Sequence, residues 1–184
     1  MTTGPTSPIL SSNDRNDAEA ERRVNPRWIL VATVAAVLAV DQLSKEIALH
    51  GLLSGPTTIG GIDLKLVANR GILFGFPAPV AVVVLATIAV VVVAVRSSRG
   101  AGLLPVVAYG LLVGGALGNL MDRFQDRHFF PPGAVVDWIV AGRFTFNLAD
   151  VFLVAAMAML LVLPMRRSPA GAKAETSTLL RTQE

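Results

Sequence analysis

Two aspartates set in apolar surroundings are the residues of this sequence best suited to acid–base chemistry. Asp137 lies in AVVDWIV and Asp150 in NLADVFL, and neither has a Lys or Arg within four residues. Apolar surroundings raise a carboxyl pKa, and a second carboxyl nearby raises one of the pair further. Two such groups can share a proton, one acting as base toward water while the other donates a hydrogen bond to a carbonyl. A single Asp at the start of a helix also reads as an N-cap. For Asp150 by itself both readings stand, but the coincidence of Asp137, Asn147 and Asp150 beside an apolar run favours chemistry.

Other polar residues are candidates for holding such a site. Asp41 has Lys45 one helical turn on, a spacing that suits an ion pair. Asp122 is followed by Arg123 and is expected to find a cation. Asn69, Asn119 and Asn147 add amides, and Gly118 precedes Asn119 directly. The chain has no Cys, which excludes disulfides, thiol nucleophiles and thiolate metal sites. Two histidines, His50 and His128, are too few for a convincing His-based metal site. The expectation is a site without metal or cofactor.

The elements that must position these residues are set by hydropathy. Of 184 residues, 53% are hydrophobic, and the mean hydropathy of +0.59 is too high for an ordinary soluble domain. A soluble all-α protein would have to explain several long runs almost free of charge. Four runs match the length needed to cross about 30 Å of hydrocarbon: about 28–49, 78–95, 102–121 and 148–165. The second is rich in Val, yet four spans cannot close a barrel, so a helix is the form that satisfies its backbone in lipid. The sequence therefore predicts an all-α membrane protein with four transmembrane helices and a small extracytoplasmic β-like segment, TTIGGIDLKLVAN. Residues 28–165 form the membrane domain. Residues 1–27 and 166–184 read as disordered cytoplasmic tails.

Ten Lys and Arg fall on one side of these spans and six on the other, and the compact clusters RRVNPR, RSSR and MRR sharpen the bias. The positive-inside rule puts both termini in the cytoplasm and residues 50–77 and 122–147 outside. Asp41, Lys45, Asn69, Asn119, Asp122, Arg123, Asp137, Asn147 and Asp150 then gather at one depth near the outer face. The cytoplasmic halves of the spans hold almost nothing polar. Ionisable groups at membrane depth are functional candidates by default. In the third span Gly110, Gly114 and Gly118 recur every four residues and let another helix approach closely. The same Gly-lined span, with the apolar second span, is also expected to offer a wall open to lipid. The net charge of +3 reads as topology and headgroup attraction, with no nucleic-acid partner.

Two other functions compete. A proton- or ion-coupled transporter also uses membrane carboxylates, but polar residues should then run the whole crossing, often with internal repeats. A purely structural assembly partner would not need two unpaired aspartates.

Five blocks in order carry a resemblance: DQLSK (41–45), NRGILFGF (69–76), GGALGNLMDR (114–123), VVDW (135–138) and FNLAD (146–150). In these the sequence resembles the lipoprotein signal peptidase (signal peptidase II) family over about residues 28–165. The resemblance implies an aspartic endopeptidase, multi-pass in the bacterial plasma (inner) membrane. It would remove the signal peptide from a lipid-modified prolipoprotein, cutting before the diacylglyceryl-modified cysteine. It assigns catalysis to Asp137 and Asp150. Substrate binding or support of the site falls to Asp41, Lys45, Asn69, Gly118, Asn119, Arg123 and Asn147. Ser44, Ile72 and Trp138 depart from the residues usual in these blocks. The stretch FQDRHFFPPGA is longer than in many relatives, which bears on the outer loops rather than on the two aspartates.

Overall fold

The computed structural model describes residues 25–72, 76–77, 79–127 and 129–162. The segments predicted as disordered tails lie outside these residues, apart from 25–27. So do Leu73–Gly75 of the second block, His128 and the last three residues of the predicted fourth span.

Four helices and two small sheets make up the described chain. Helix α1 (Pro26–Gly51) starts on Pro26 after Asn25, whose side chain accepts from the Arg27 N–H at 3.0 Å and so satisfies a free donor of the first turn. Strands β1 (Thr57–Ile59), β2 (Ile62–Asn69), β3 (Gly71–Ile72) and β4 (Phe76–Pro77) follow. Helices α2 (Val80–Ser97) and α3 (Leu103–Phe124) form the next hairpin. Strands β5 (Val135–Ala141) and β6 (Phe144–Phe146) lead into α4 (Leu148–Val162). Three helices, α1 to α3, are long and apolar enough to cross a membrane. The 15 described residues of α4 span about 22 Å at 1.5 Å per residue. The Val-rich second run is helical, as expected.

The segment between α1 and α2 pairs as the TTIGGIDLKLVAN stretch predicts, β1 against β2. The segment between α3 and α4 is not the loop expected from its sequence. VVDWIVA forms β5, which joins an antiparallel sheet in the order β1-β2-β5-β6. Its alternation was hidden because its first three residues are all buried and read as one apolar run. Pairing of β2 with β5 sets Asn69 opposite Val135 and Val67 opposite Asp137. Asn69 and Asp137 therefore lie diagonally on one face, within reach of each other.

The centre of the bundle is the α1–α3 contact. Thr33, Val37, Asp41 and Lys45 recur every four residues on α1, facing Gly110, Gly114, Gly118 and Asp122 at the same spacing on α3. A Cβ at Gly110 would lie 2.5 Å from Thr33 Cβ, and one at Gly114 would lie 2.6 Å from Val37 Cβ. On the adjoining face a Cβ at Gly115 would lie 2.7 Å from the Ala149 carbonyl of α4. In lipid no hydrophobic force drives helices together, so close backbone packing supplies the attraction. The Gly-lined face is thus buried against α1 and α4. The wall expected of this span and the apolar second span falls to another face of α3, whose Leu112 and Ala116 line a cavity together with Val83 and Ala86 of α2. The apolar surface that does face outward is supplied by larger side chains, among them Leu43, Ile47, Leu85, Ile88 and Val93. So much exposed apolar surface fits a lipid surround.

Candidate active site

Four carboxylates and their partners meet where α1, α3, β5 and α4 converge, and each element is held there by the carboxylates themselves. Asp41, fully buried, accepts from Lys45 Nζ at 2.8 Å. Its other oxygen accepts from the Ala149 N–H at 3.0 Å, a free donor of the first turn of α4. Its negative charge also suits the positive end of that helix. Asp122 accepts from the Val136 N–H at 3.1 Å and so fixes the start of β5 beside α3. One residue on, the strand aims Asp137 inward.

Asp122 does find a cation, but not its neighbour Arg123. It pairs with Lys45 at 2.9 Å and with Arg127 at 3.1 Å. Residues 122 and 123 point in different directions around the helix. Arg123 donates to the Asn119 carbonyl at 2.7 Å and to the Gly71 carbonyl, tying α3 to β3.

Asn147 and Asp150 cap α4 reciprocally. Asn147 Oδ1 accepts from the Asp150 N–H at 3.1 Å, and an Asp150 oxygen accepts from the Asn147 N–H at 3.3 Å. Asn147 is therefore the N-cap and Asp150 the third residue of the helix, the capping-box arrangement. Capping and chemistry do not compete here, because the cap consumes one Asp150 oxygen. The other accepts from Asn119 Nδ2 at 2.8 Å.

Asp137 is fully buried and held at both oxygens. Asn69 Nδ2 donates to one at 2.9 Å and Asn147 Nδ2 to the other at 2.8 Å. Asn147 thus touches both aspartates of the pair. Asn119 joins the two halves: its Oδ1 accepts from Lys45 at 3.1 Å and from Asn147 at 3.0 Å, while its amide donates to Asp150. Burial, reinforced by the Asp150 charge, pushes Asp137 up to about 6, against the pull of the Asn69 and Asn147 hydrogen bonds and of Lys45. Such a carboxyl can hold or release a proton near neutral pH, the property general acid–base work needs.

The pair opens on a cavity of about 320 Å³ between α2, α3 and α4. Asn69, Asn119, Arg123, Asp137 and Asp150 line its polar end, and side chains such as Val83, Ala86, Leu112 and Met157 line the rest. Two wider clefts, of about 540 and 500 Å³, open beside residues 125–132 and contain neither aspartate. Among the described residues, no group of three or more His, Cys, Asp or Glu is arranged to hold a metal ion.

The nine residues that the resemblance assigns fall in this network or beside it, and so does Asp122. Gly118 belongs because an added Cβ would lie 2.5 Å from an Asp41 oxygen. Gly118→Ala should therefore displace Asp41 and destabilise the protein by about 1–3 kcal/mol, as overpacking does. Gly51→Ala, with nothing within 4 Å of the new methyl, should leave stability nearly unchanged. Thermal unfolding in detergent measures both, and equal effects would remove Gly118 from the site.

Two members escaped the sequence reading. Gln42 donates to Asp41 at 3.0 Å and to Asp122 at 3.2 Å. Arg127 donates to Gln42 at 2.7 Å and to Glu46 at 2.9 Å. Gln42 could have been found by its place inside DQLSK. Arg127 sits after the helix end with no periodic spacing to mark it.

Comparison with known proteins gives the chain's family and fold. Residues 33–166 match the family described as Signal peptidase (SPase) II. A protein named Lipoprotein signal peptidase from Bifidobacterium longum (strain DJO10A) is 35% identical over 146 residues, covering 77% of this chain and 80% of that one. Its namesake from Nitrobacter hamburgensis is 38% identical over 161 residues, covering 77% and 94%. The one from Streptomyces coelicolor is 40% identical over 154 residues, covering 79% and 76%. Two solved bacterial membrane enzyme structures, at 23% and 22% identity, share the fold with TM-scores of 0.63. They cover 72% and 76% of this chain.

Proposed function

The chain belongs to the signal peptidase II family of membrane aspartic proteases, which remove signal peptides from prolipoproteins, and from that premise we propose that Asp137 and Asp150 are its catalytic pair. The observation that carries this reading is Asn147 bonded to both aspartates at the polar end of an otherwise apolar cavity. With one proton shared between them, one aspartate takes a proton from water as the water oxygen attacks the scissile carbonyl. The other donates a hydrogen bond to the carbonyl oxygen. The C–N bond then breaks, and the carboxyl proton passes to the departing amine. Asn69, Asn119 and Asn147 hold the carboxylates in place. Asp41, Lys45 and Gly118 support that arrangement from the α1–α3 contact, and Arg123 lines the cavity where the peptide enters.

The proposed domain is residues 28–165, between cytoplasmic tails 1–27 and 166–184. The enzyme is placed in the bacterial plasma membrane with both termini inside and the pair at the outer face. Arg clustering at RRVNPR, RSSR and MRR supports this placement. The partners are the lipid-modified precursor and membrane lipids, with no nucleic acid. The apolar cavity below the carboxylates suits the signal segment or acyl chains of such a precursor, so the cut falls before the diacylglyceryl-modified cysteine.

An acyl chain contributes about 0.8 kcal/mol per buried CH₂, far more than a few peptide contacts. A precursor lacking the lipid should be cut at least about a hundredfold more slowly, with the deficit in rate as well as apparent affinity. Misplacing the bond by about 1 Å costs a factor of that size. Lipidated and unlipidated precursors compared in one micelle test this, and equal rates would overturn the lipid-anchored reading.

A further inference from the structure

Arg127 belongs to no block of the sequence, yet its guanidinium closes the outer side of the carboxylate network. It is about nine-tenths buried, binds Asp122 at 3.1 Å and Gln42 at 2.7 Å, and meets the exposed Glu46 at 2.9 Å. Asp122 is shared between Arg127 and Lys45, Lys45 bonds Asn119, and Asn119 bonds Asp150. The charges enclosed here are Asp41, Asp122, Asp137 and Asp150 against Lys45, Arg123 and Arg127. Around them, β2 and its end contribute exposed Asp63, Lys65 and Arg70, and the β5–β6 turn contributes exposed Arg143. The α1 end and the residues after α3 contribute exposed Glu46, His50 and Asp126. Helix α2 packs against α3 with Thr87 and Ala94 as its buried residues, and its Arg96 and the following Arg99 lie at the opposite end.

With one proton on the Asp137–Asp150 pair, three ionised carboxylates face three enclosed cations, and the cluster is neutral. An uncompensated charge in low dielectric is costly, so neutrality favours the singly protonated pair. We propose that Arg127 is a positioning residue whose charge sets the proton count of the aspartate pair. It acts through Asp122, Lys45 and Asn119, without touching the reacting atoms. This rests on the aspartic reading above. Without Arg127 the cluster carries one excess negative charge whenever the pair holds one proton. A second proton is then retained to higher pH, so both pH limits of cleavage move up.

The test is the pH profile of kcat and kcat/KM for the full-length enzyme with a lipidated precursor. Arg127→Gln should shift both limits upward by on the order of one pH unit, and Arg127→Lys, which keeps the charge, should hold the parental profile. Glu46→Gln removes an exposed anion from the same guanidinium at a helix position where folding is not at risk. It should move the limits down by about a few tenths of a unit, and it decides the matter should Arg127→Gln fail to fold. A purely structural Arg127 would lower thermal stability or turnover with the profile unmoved, and that result overturns the proposal. Asp137→Asn and Asp150→Asn separate this from failure of the underlying reading. If those variants cleave, the aspartic pair itself is wrong whatever Arg127 does.

Discussion

Asp137→Asn and Asp150→Asn should each lower cleavage of a lipidated precursor by at least about 10⁴-fold while the protein still folds. Removing one member of a catalytic unit costs about as much as removing the unit, because the members act together. An amide keeps the shape but can neither take a proton from water nor share one with its partner. The local cost to stability is small. Asp137 accepts from two amide groups, Asn69 and Asn147. An Asn there can accept one of these bonds and must face the other with its own NH₂, which costs about 1 kcal/mol. Unfolding in detergent beside the activity assay separates the two effects. Substantial turnover by either variant would remove that residue from the pair.

Lys45→Ala should have the opposite signature, with a large loss of stability. Lys45 is fully buried and pairs with Asp41 at 2.8 Å and Asp122 at 2.9 Å. Alanine would leave two carboxylates enclosed without their shared cation. Breaking a buried pair from one side costs about 3–5 kcal/mol. Here both stranded groups also hold backbone, Asp41 the first turn of α4 and Asp122 the start of β5. The loss should exceed that of Asp137→Asn, and unfolding of the two variants in one detergent makes the comparison. A Lys45→Ala protein as stable as the parent would mean that this cation is not the scaffold.

Much of this site was legible in the sequence because a membrane makes polar residues conspicuous. Asp41, Asn119, Asp137 and Asp150 stand out against hydrocarbon, and alternation of spans brings their ends to one side. The α1–α3 contact was legible for a related reason, since Gly at every fourth position has few uses in a span other than close packing. What the pattern did not carry was direction. Asp122 has Arg123 beside it in the chain, but neighbours on a helix diverge by about 100°, and the actual partners lie 77 residues back and five residues on. The spacing of Gly110, Gly114 and Gly118 marks a packing face, but it does not say which other face of α3 meets α2 across the cavity. Strand β5 was missed because burial of both its faces near the site erases the period of two. Gln42 and Arg127 were missed because they bind through side-chain geometry that spacing does not encode.

The central claim is that two aspartates, without a metal, hydrolyse the bond before the lipid-modified cysteine. Its most direct test is cleavage of a lipidated precursor by the purified full-length enzyme in detergent, with excess chelator, and the products weighed by mass spectrometry. The account predicts an undiminished rate and one cut immediately ahead of the modified cysteine. Loss of activity on chelation that zinc restores would contradict it in favour of metal-activated water, and a cut elsewhere in the precursor would contradict the placement of the aspartates.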